Sequence, residues 1–413
     1  MELLHKIRPL IMPTLVALVL ICIGLGFIAP WFYLGLLITG PLLLLGLYDR
    51  FQKRHSILRN YPVLGRMRFL LEGAGPEVHQ YFVESNTSGK PFDRDFRTLI
   101  YERAKNIDGI KPFGTELDVY SQGYGFITHS VSPKPIVENA GKNVRIEIGG
   151  PQCQKPYSSS VINISAMSFG ALSANAIRAL NTAAKMGGFA HDTGEGGFST
   201  HHREPGGDVI WQVGTGYFGC RNDDGTFNVE MFAEQATMEQ VKMIEVKISQ
   251  GAKPGHGGVL PGAKVTREIA DARKVAVGQD CISPPGHSAF STPIELCEFL
   301  ATLRERSMGK PVGFKICAGQ PREIFAICKA MTETGIVPDF ITVDGGEGGT
   351  GAAPQEFSDH LGMPLREGLI LVHNALVGIG VRDDLCLAAS GKRASSYEIA
   401  SAMALGTNWR NIA

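Results

Sequence analysis

The stretch Val312-Gly313-Phe314-Lys315-Ile316-Cys317, then the pattern Pro321–Thr334, then Phe340-Ile341-Thr342-Val343-Asp344, decides the fold. A short apolar run, a proline-opened segment of helical periodicity and a second apolar run are the parts of a βαβ unit, whose two strands run parallel. Outward from it the same alternation extends from Val144-Arg145-Ile146-Glu147-Ile148 to the C-terminus. Strands are predicted at 161–165, 189–192, 243–248, 280–283, Val312–Cys317, Phe340–Asp344 and 385–390, and an eighth would begin near Trp409. Helices are predicted at 174–186, 266–274, Pro293–Arg306, Pro321–Thr334, 365–379 and 395–405. This succession predicts an α/β fold, a (β/α)8 TIM-type barrel over 141–413 with its eighth unit incomplete. Residues 198–230, rich in Gly, His and aromatics, read as a long insertion over the catalytic face.

The N-terminus is of another kind. Between Pro9 and Tyr48 about forty residues carry no charge, enough for two helices at roughly 20 residues per crossing. Ala29-Pro30-Trp31 divides the run, which is too long for the apolar core of a signal peptide. Lys6 and Arg8 precede it, and Arg50, Lys53, Arg54 and Arg59 follow it, so the bias of cations toward the cytoplasm puts both ends inside. The expectation is a two-helix transmembrane hairpin over 1–50, embedded in membrane lipid, with the catalytic domain cytoplasmic. Residues 51–140 are polar and mixed, with helical stretches near 62–71 and 93–107, and read as a cap or adaptor without chemistry of its own.

Lys plus Arg and Asp plus Glu both number 40, so no cationic surplus exists for a nucleic-acid backbone. The eight cysteines are scattered without metal-ligand spacing, and reduced, mostly buried thiols are expected. The triplets Asn86-Thr87-Ser88 and Asn163-Ile164-Ser165 are chance matches to a glycosylation signal. His201, His202, His256 and His287 show no ligand spacing and read as solvated loop residues. No nicotinamide-dinucleotide fingerprint stands out, and the electron donor stays open.

Glycine supplies 50 of the 413 residues and gathers where strands are predicted to end. These runs are Ala166-Met167-Ser168-Phe169-Gly170, Thr193-Gly194-Glu195-Gly196-Gly197, Lys247 through Gly258, Asp344 through Gly351, and Ser390-Gly391-Lys392-Arg393. One glycine run is usually a tight turn. Five on the ligand-binding end of one barrel offer backbone N–H groups to an anionic ligand such as a phosphate-bearing cofactor.

The string Gln250-Gly251-Ala252-Lys253-Pro254-Gly255, with Thr193-Gly194-Glu195-Gly196-Gly197, Ile282-Ser283-Pro284-Pro285 and Gly348-Gly349-Thr350-Gly351-Ala352, resembles the FMN-binding synthase domain of glutamate synthases over about residues 145–408. Within that family the N-terminal segment looks like the small, membrane-tethered, stand-alone type. The resemblance implies an oxidoreductase of glutamate biosynthesis acting on CH–NH2 donors. Ammonia or another amine donor would condense with 2-oxoglutarate or a related oxo acid, and reduced FMN would deliver a hydride to the imine. By motif, Met167, Ser168 and Gly170 would line the flavin ring, and Lys247 would lie beside it. Gly346, Gly349, Thr350 and Gly391 would serve the ribityl chain and phosphate. Lys253, Arg273 and Ser291 would bind substrate, and Glu195 would orient the imine or relay a proton, making Glu195 and Lys253 the catalytic pair.

The chain departs from the family in three ways. No glutaminase domain precedes the barrel, so ammonia would come from solution or from an amidotransferase subunit, beside a possible electron-donor subunit. His256 and Val259 stand where the large enzymes carry an acidic residue and a glutamine, which leaves the oxo acid open. No cysteine follows Cys386, so the family's iron–sulfur cluster is not expected and no metal site is assigned. A chain ending at Trp409-Arg410-Asn411-Ile412-Ala413 would be a truncated product with an open barrel and weakened FMN affinity. The rival reading is a degenerate, non-catalytic barrel acting at a membrane as a scaffold or partner subunit.

Overall fold

The computed structural model describes residues 8–111, 114–138, 144–253, 257–350, 353–392 and 395–412. They belong to two compact units, Met1–Gly125 and Phe126–Ala413.

In the first unit, α1 (Ile11–Gly26) and α2 (Leu36–Phe51) are joined through a 3-10 segment, Pro30–Gly35. The residue before a proline is pushed out of the helical region, and Ala29 is extended, which breaks the apolar run where expected. The helices lie antiparallel. A Cβ on Gly46 would come 3.0 Å from the Met12 sulfur, and one on Gly35 would come 2.8 Å from that of Cys22, so glycine lets the pair approach closely. Among the described residues one helix is long and apolar enough to cross a membrane, Pro30–Phe51, with mean hydropathy 1.7. The other, Ile11–Gly26, has 16 residues and falls short of that length. After the pair come α3 (Gly65–Val78), which continues into a π-turn at His79–Val83, and α4 (Arg94–Ala104). Asp93 caps α4 by accepting from the Phe96 N–H at 2.7 Å.

The second unit opens with an antiparallel hairpin, β1 (Arg145–Ile148) and β2 (Tyr157–Ser160). The wall consists of β3 (Ile162–Ile164), β4 (His191–Asp192), β5 (Val209–Val213), β6 (Val241–Lys247), β9 (Val312–Cys317), β10 (Phe340–Asp344), β11 (Cys386–Ser390) and β12 (Trp409–Ile412), closed in that order with every pairing parallel. Between β6 and β9, β7 (Val259–Leu260) and β8 (Cys281–Ile282) form a small antiparallel ribbon. The surrounding helices are α5 (Ala174–Gly187), α6 (Val229–Ala236), α7 (Arg267–Arg273), α8 (Pro293–Arg306), α9 (Pro321–Thr334), α10 (Leu365–Gly378) and α11 (Ser396–Ala404). Thr292 and Ser395 open α8 and α11 with reciprocal capping boxes.

Three expectations need correction. The third wall strand is Val209–Val213, inside the stretch read as an insertion, and all five of its residues are buried. A parallel strand is covered on both faces and shows no alternation, so this short run looked like part of its loop. Residues 280–283 are not in the wall: Ile282 is exposed and pairs outward with Val259. Nor is the barrel open. The four residues of β12 pair with β11 on one side and β3 on the other, which leaves no free edge.

Strand alternation sorts the interior. Trp211, Ile244, Phe314, Ile341 and Leu387 point outward into a core with Leu300, Leu303, Ile324, Leu369 and Leu376 of the helices. Fully burying one such side chain stabilises by about 1.5–3 kcal/mol. At the N-terminal end of the strands, Ile148 and Tyr157 of the hairpin meet Ile210, Met243, Phe340 and Trp409 in a separate apolar cluster. Gly313 is required there, because a Cβ would lie 2.2 Å from the Phe340 carbonyl oxygen. Above this floor the inward positions turn polar.

Candidate functional site

Two layers of charge lie toward the C-terminal ends of the strands. In the lower one, Gln212 Nε2 donates to Glu245 at 2.6 Å and to Asp192 at 3.4 Å, and the Thr342 hydroxyl donates to Glu245 at 2.5 Å. Lys315 lies 3.7 Å from Asp344. Burial, then the neighbouring Glu245 charge, raises the Asp192 pKa far above the carboxylate range. For Lys315 burial works against the charge, but Asp344, Glu245 and Asp192 outweigh it and raise its pKa. One permanent cation thus answers three buried acids, one of them pushed toward its neutral form.

The upper layer is the mouth. Lys247, the last residue of β6, donates from Nζ to Glu195 Oε2 at 3.1 Å and also to the Gln250 side chain. The ammonium of Lys253 lies 3.6 Å from the other Glu195 oxygen. Both lysines are buried to within about a tenth of their side-chain surface, at 10% and 8% exposed, against 22% for Glu195. Burial opposes the Glu195 charge, yet Lys247 and Lys253, with Arg273 farther off, hold its pKa at about 2. Burial lowers the Lys247 pKa despite the attraction of Glu195. The result is an ionised carboxylate gripped by two cations in a site that excludes most water.

The loops converge because glycine permits it. A Cβ on Gly251 would sit 1.8 Å from the Gly345 carbonyl oxygen, so the Lys253-bearing loop can lie on the loop after β10 only without one. The Gly251 N–H then donates to Asp344 at 2.8 Å, which ties that loop to the lower layer. At Gly194, φ of +63° and the Ser168 amide 2.9 Å from a built Cβ both demand glycine, and the turn carries Glu195 inward.

Arg273, at the end of α7, is buried and not a surface helix residue. Its Nη2 donates to the Phe169 carbonyl at 3.2 Å, its guanidinium lies 5.1 Å from the centre of the Phe218 ring, and its Nε has no partner among the described residues. A Cβ at Gly170 or Gly196 would come 3.3 or 3.2 Å from that guanidinium, so Arg273 backs onto the loops after β3 and β4. Met167 is half-buried, donating from its amide to Asp192 at 3.1 Å and accepting from His202 at 3.2 Å. A Cβ on Gly346 would be 3.1 Å from the Leu361 carbonyl oxygen, and one on Gly391 would stand 3.7 Å from the Gly345 amide. Gly349 is exposed with open space on its Cβ side, and Thr350 beside it is half-buried.

Ser291 is not brought to this cluster. It is exposed, and its amide and hydroxyl donate to Glu295 at 2.6 and 2.8 Å in the cap of α8. The histidines are a further correction. His201 and His202 are buried, and His287 is half-buried. His287 bridges the Tyr217 hydroxyl at 3.0 Å and the Lys247 carbonyl at 2.9 Å. Burial, partly offset by that carbonyl, pulls its pKa to about 4, and His202 falls to about 4 for the same main reason. His256 lies outside the described residues, as do Pro254 and Gly255. Among the described residues no His, Cys, Asp and Glu side chains group as metal ligands, and the eight cysteines are all unpaired.

Sequence reading missed Asp192, Gln212, Glu245, Lys315 and Asp344 as members of one network. The signal was present as charged residues interrupting apolar strands in Met243-Ile244-Glu245-Val246-Lys247 and Gly313-Phe314-Lys315-Ile316.

A closed parallel (β/α)8 barrel with ionised side chains and glycine turns gathered at its C-terminal mouth has the architecture of a TIM-barrel enzyme. Residues 131–413 match the conserved region in glutamate synthase. The chain is 36% identical to the glutamate synthase large subunit-like protein YerD of Bacillus subtilis over 92% of this chain and 80% of that protein, a share reaching well into the first unit. It is 35% identical to the archaeal-type glutamate synthase (NADPH) of Thermotoga neapolitana over 60% of this chain and 46% of that protein. With the glutamate synthase (NADPH) large chain of Bacillus subtilis it shares 32% identity over 58% of this chain and 15% of that protein. The chain belongs to the glutamate synthase family of oxidoreductases acting on CH–NH2 donors. It spans most of YerD but under half of the archaeal-type relative.

Proposed function

We propose that this protein is a membrane-tethered, FMN-dependent oxidoreductase that reductively aminates 2-oxoglutarate or a related oxo acid with ammonia or an amine. The observation that carries the reading is the buried Glu195 carboxylate held between Lys247 and Lys253 at the barrel mouth.

The residues present fit FMN. The glycine loops after β10 and β11 carry backbone N–H groups at the mouth, with open space on the Cβ side of Gly349, and the buried Lys247 ammonium offers the cation that an anionic ring needs. Met167, Ser168 and Gly170 would hold the ring, with Gly346, Gly349, Thr350 and Gly391 toward the phosphate. When bound, FMN supplies the hydride-transfer chemistry.

The chain's own residues do the rest. Lys253 and Arg273 are separate cations for the carboxylates of a dicarboxylate, which cannot be left unpaired in a closed site. The unpartnered Nε of Arg273 is a donor in waiting. Glu195, with a pKa near 2, stays ionised at neutral pH, which favours orienting a cationic iminium over donating a proton. Ser291 stands apart from these groups and is not assigned to them.

Tethering rests on the uncharged run from Pro9 to Tyr48, the apolar helix Pro30–Phe51 and the cations on both flanks, which favour a hairpin with both ends cytoplasmic. To test the function, purify the full chain in detergent, record its visible spectrum, and follow flavin reoxidation with 2-oxoglutarate and ammonia. Lys253→Met should lower turnover by about 10²-fold or more while the flavin spectrum persists. A preparation without flavin, or a variant with unchanged turnover, defeats the assignment.

A further inference from the structure

The helix α3 and its π-turn extension carry an apolar stripe with no partner among the described residues. Met67, Leu70, Leu71, Val78, Tyr81 and Phe82 recur at helical spacing along one side, and all are exposed, Leu70 at 70% and Phe82 at 84%. Among the described residues the helix packs mainly at its start. Gly65 is buried against Ile57 and Leu58, and the Phe69 ring meets the His55 ring edge-on at 5.6 Å.

Two observations say what covers the stripe. The first is continuity with the apolar helix pair. Asp49, two residues from the end of α2 and fully buried, accepts from Arg66 Nη2 at 2.6 Å, from Arg66 Nε at 3.0 Å and from the Val63 amide at 3.0 Å. This clamp fixes the start of α3 within one helical turn of the end of the span Pro30–Phe51. The second is charge. Between residues 50 and 71 stand Arg50, Lys53, Arg54, Arg59, Arg66 and Arg68, with no Asp or Glu. Within α3 itself Glu72 and Glu77 balance Arg66 and Arg68, so the cations that would meet anionic headgroups are Arg50, Lys53, Arg54 and Arg59, between the span and the helix. An apolar stripe directly after so basic a stretch suits the headgroup layer of an anionic leaflet.

We infer that α3 is a second membrane-binding element, which rests its Met67-to-Phe82 stripe in the surface of an anionic bilayer and holds the first unit there at two points. The inference rests on the membrane-tethered reading. Once seated, the helix gives the first unit a membrane contact beside that of the apolar pair.

The test uses the full chain reconstituted in vesicles of phosphatidylcholine with phosphatidylglycerol. Photoreactive p-benzoylphenylalanine replaces, one at a time, Ile21 in α1, Leu71, Phe82, and Tyr397 on an exposed face of α11. Lipid adducts are expected at positions 21, 71 and 82 and not at 397. Omitting phosphatidylglycerol should lower the yield at 71 and 82 several-fold relative to position 21, and equal yields would overturn the anionic part. Lipid adducts at 21 without any at 71 or 82 would sink the inference and leave the tether standing. Adducts of 71 or 82 to protein, whether another copy or this chain, would sink it too. Failure at position 21 as well would remove the tether and the inference together.

Discussion

The two units handle apolar side chains in opposite ways. In the barrel, Trp211, Trp409, Phe314 and Phe340 are withdrawn from the surface, and the buried Lys247 and Lys315 are paired with carboxylates toward the mouth. In the first unit, Trp31, Leu37, Leu70 and Phe82 face outward, and a fully buried side chain is the carboxylate of Asp49. The hydrophobic effect acts on both, and the contrast is the one that the proposed membrane tether calls for. An apolar exterior over an ionic clamp is stable where the surroundings are themselves apolar, and a polar exterior over an apolar core suits water. Inside the barrel the same rule sets the floor against the mouth, since Met243 and Phe340 fill the N-terminal end and Glu245 and Lys315 begin the polar C-terminal end.

This contrast can be broken from several sides. Acid should break the barrel first. His191, His202 and His287 are held neutral by burial, with pKa values pulled from 6.5 to about 3, 4 and 4. The unfolded chain therefore takes up their protons before the folded one does. Stability is present in full above pH 6.5 and is lost as pH falls toward 4, by up to about 1.4 kcal/mol per pH unit for each histidine. Urea melts between pH 7 and 5 measure this, and a midpoint that stays level over that range contradicts the burial. Glu195, with its depressed pKa, adds its own loss only below about pH 4.5.

Lys315→Met should come next. It removes the cation that answers Asp192, Glu245 and Asp344, at a cost of about 3–5 kcal/mol, read as a lowered urea midpoint at pH 7. A variant as stable as the parent would mean that those carboxylates are already neutral.

Asp49→Asn strikes the other unit. It breaks the clamp on Arg66 and Val63 and should cost about 1–3 kcal/mol locally, seen as faster amide exchange over 61–70 with the barrel amides unchanged. Exchange that rises equally in the barrel would refute independent units. Ser291→Ala should do least, within about 1 kcal/mol through its link to the α8 cap and without effect on turnover. A large drop in turnover would restore Ser291 to the substrate site.

The legible parts of the barrel were those whose physics is local. The helices from Ala174 onward match their periodicity to within a residue at each end where they were expected, because caps such as Thr292 and Ser395 and stops such as Gly188 and Gly335 act over a few residues. Val209–Val213 was hidden because burial on both faces erases alternation, and residues 280–283 misled because a short apolar run does not say which sheet it joins. Within the site, the glycine turns and Lys253 stood out by motif. Arg273 could not be told from a surface residue, since only the packing of Phe169 and Phe218 buries it.

The sequence by itself determined the class of fold, the family, the apolar N-terminus and the loops that meet at the mouth, because period, turn chemistry and motif are read from neighbours along the chain. Tertiary structure alone decided that four residues suffice to close the barrel and that Glu195 lies between two lysines. It also decided that the Asp49 carboxylate is fully buried in the N-terminal unit. Those are contacts between residues distant along the chain, and their energies depend on burial and distance, which no local pattern encodes.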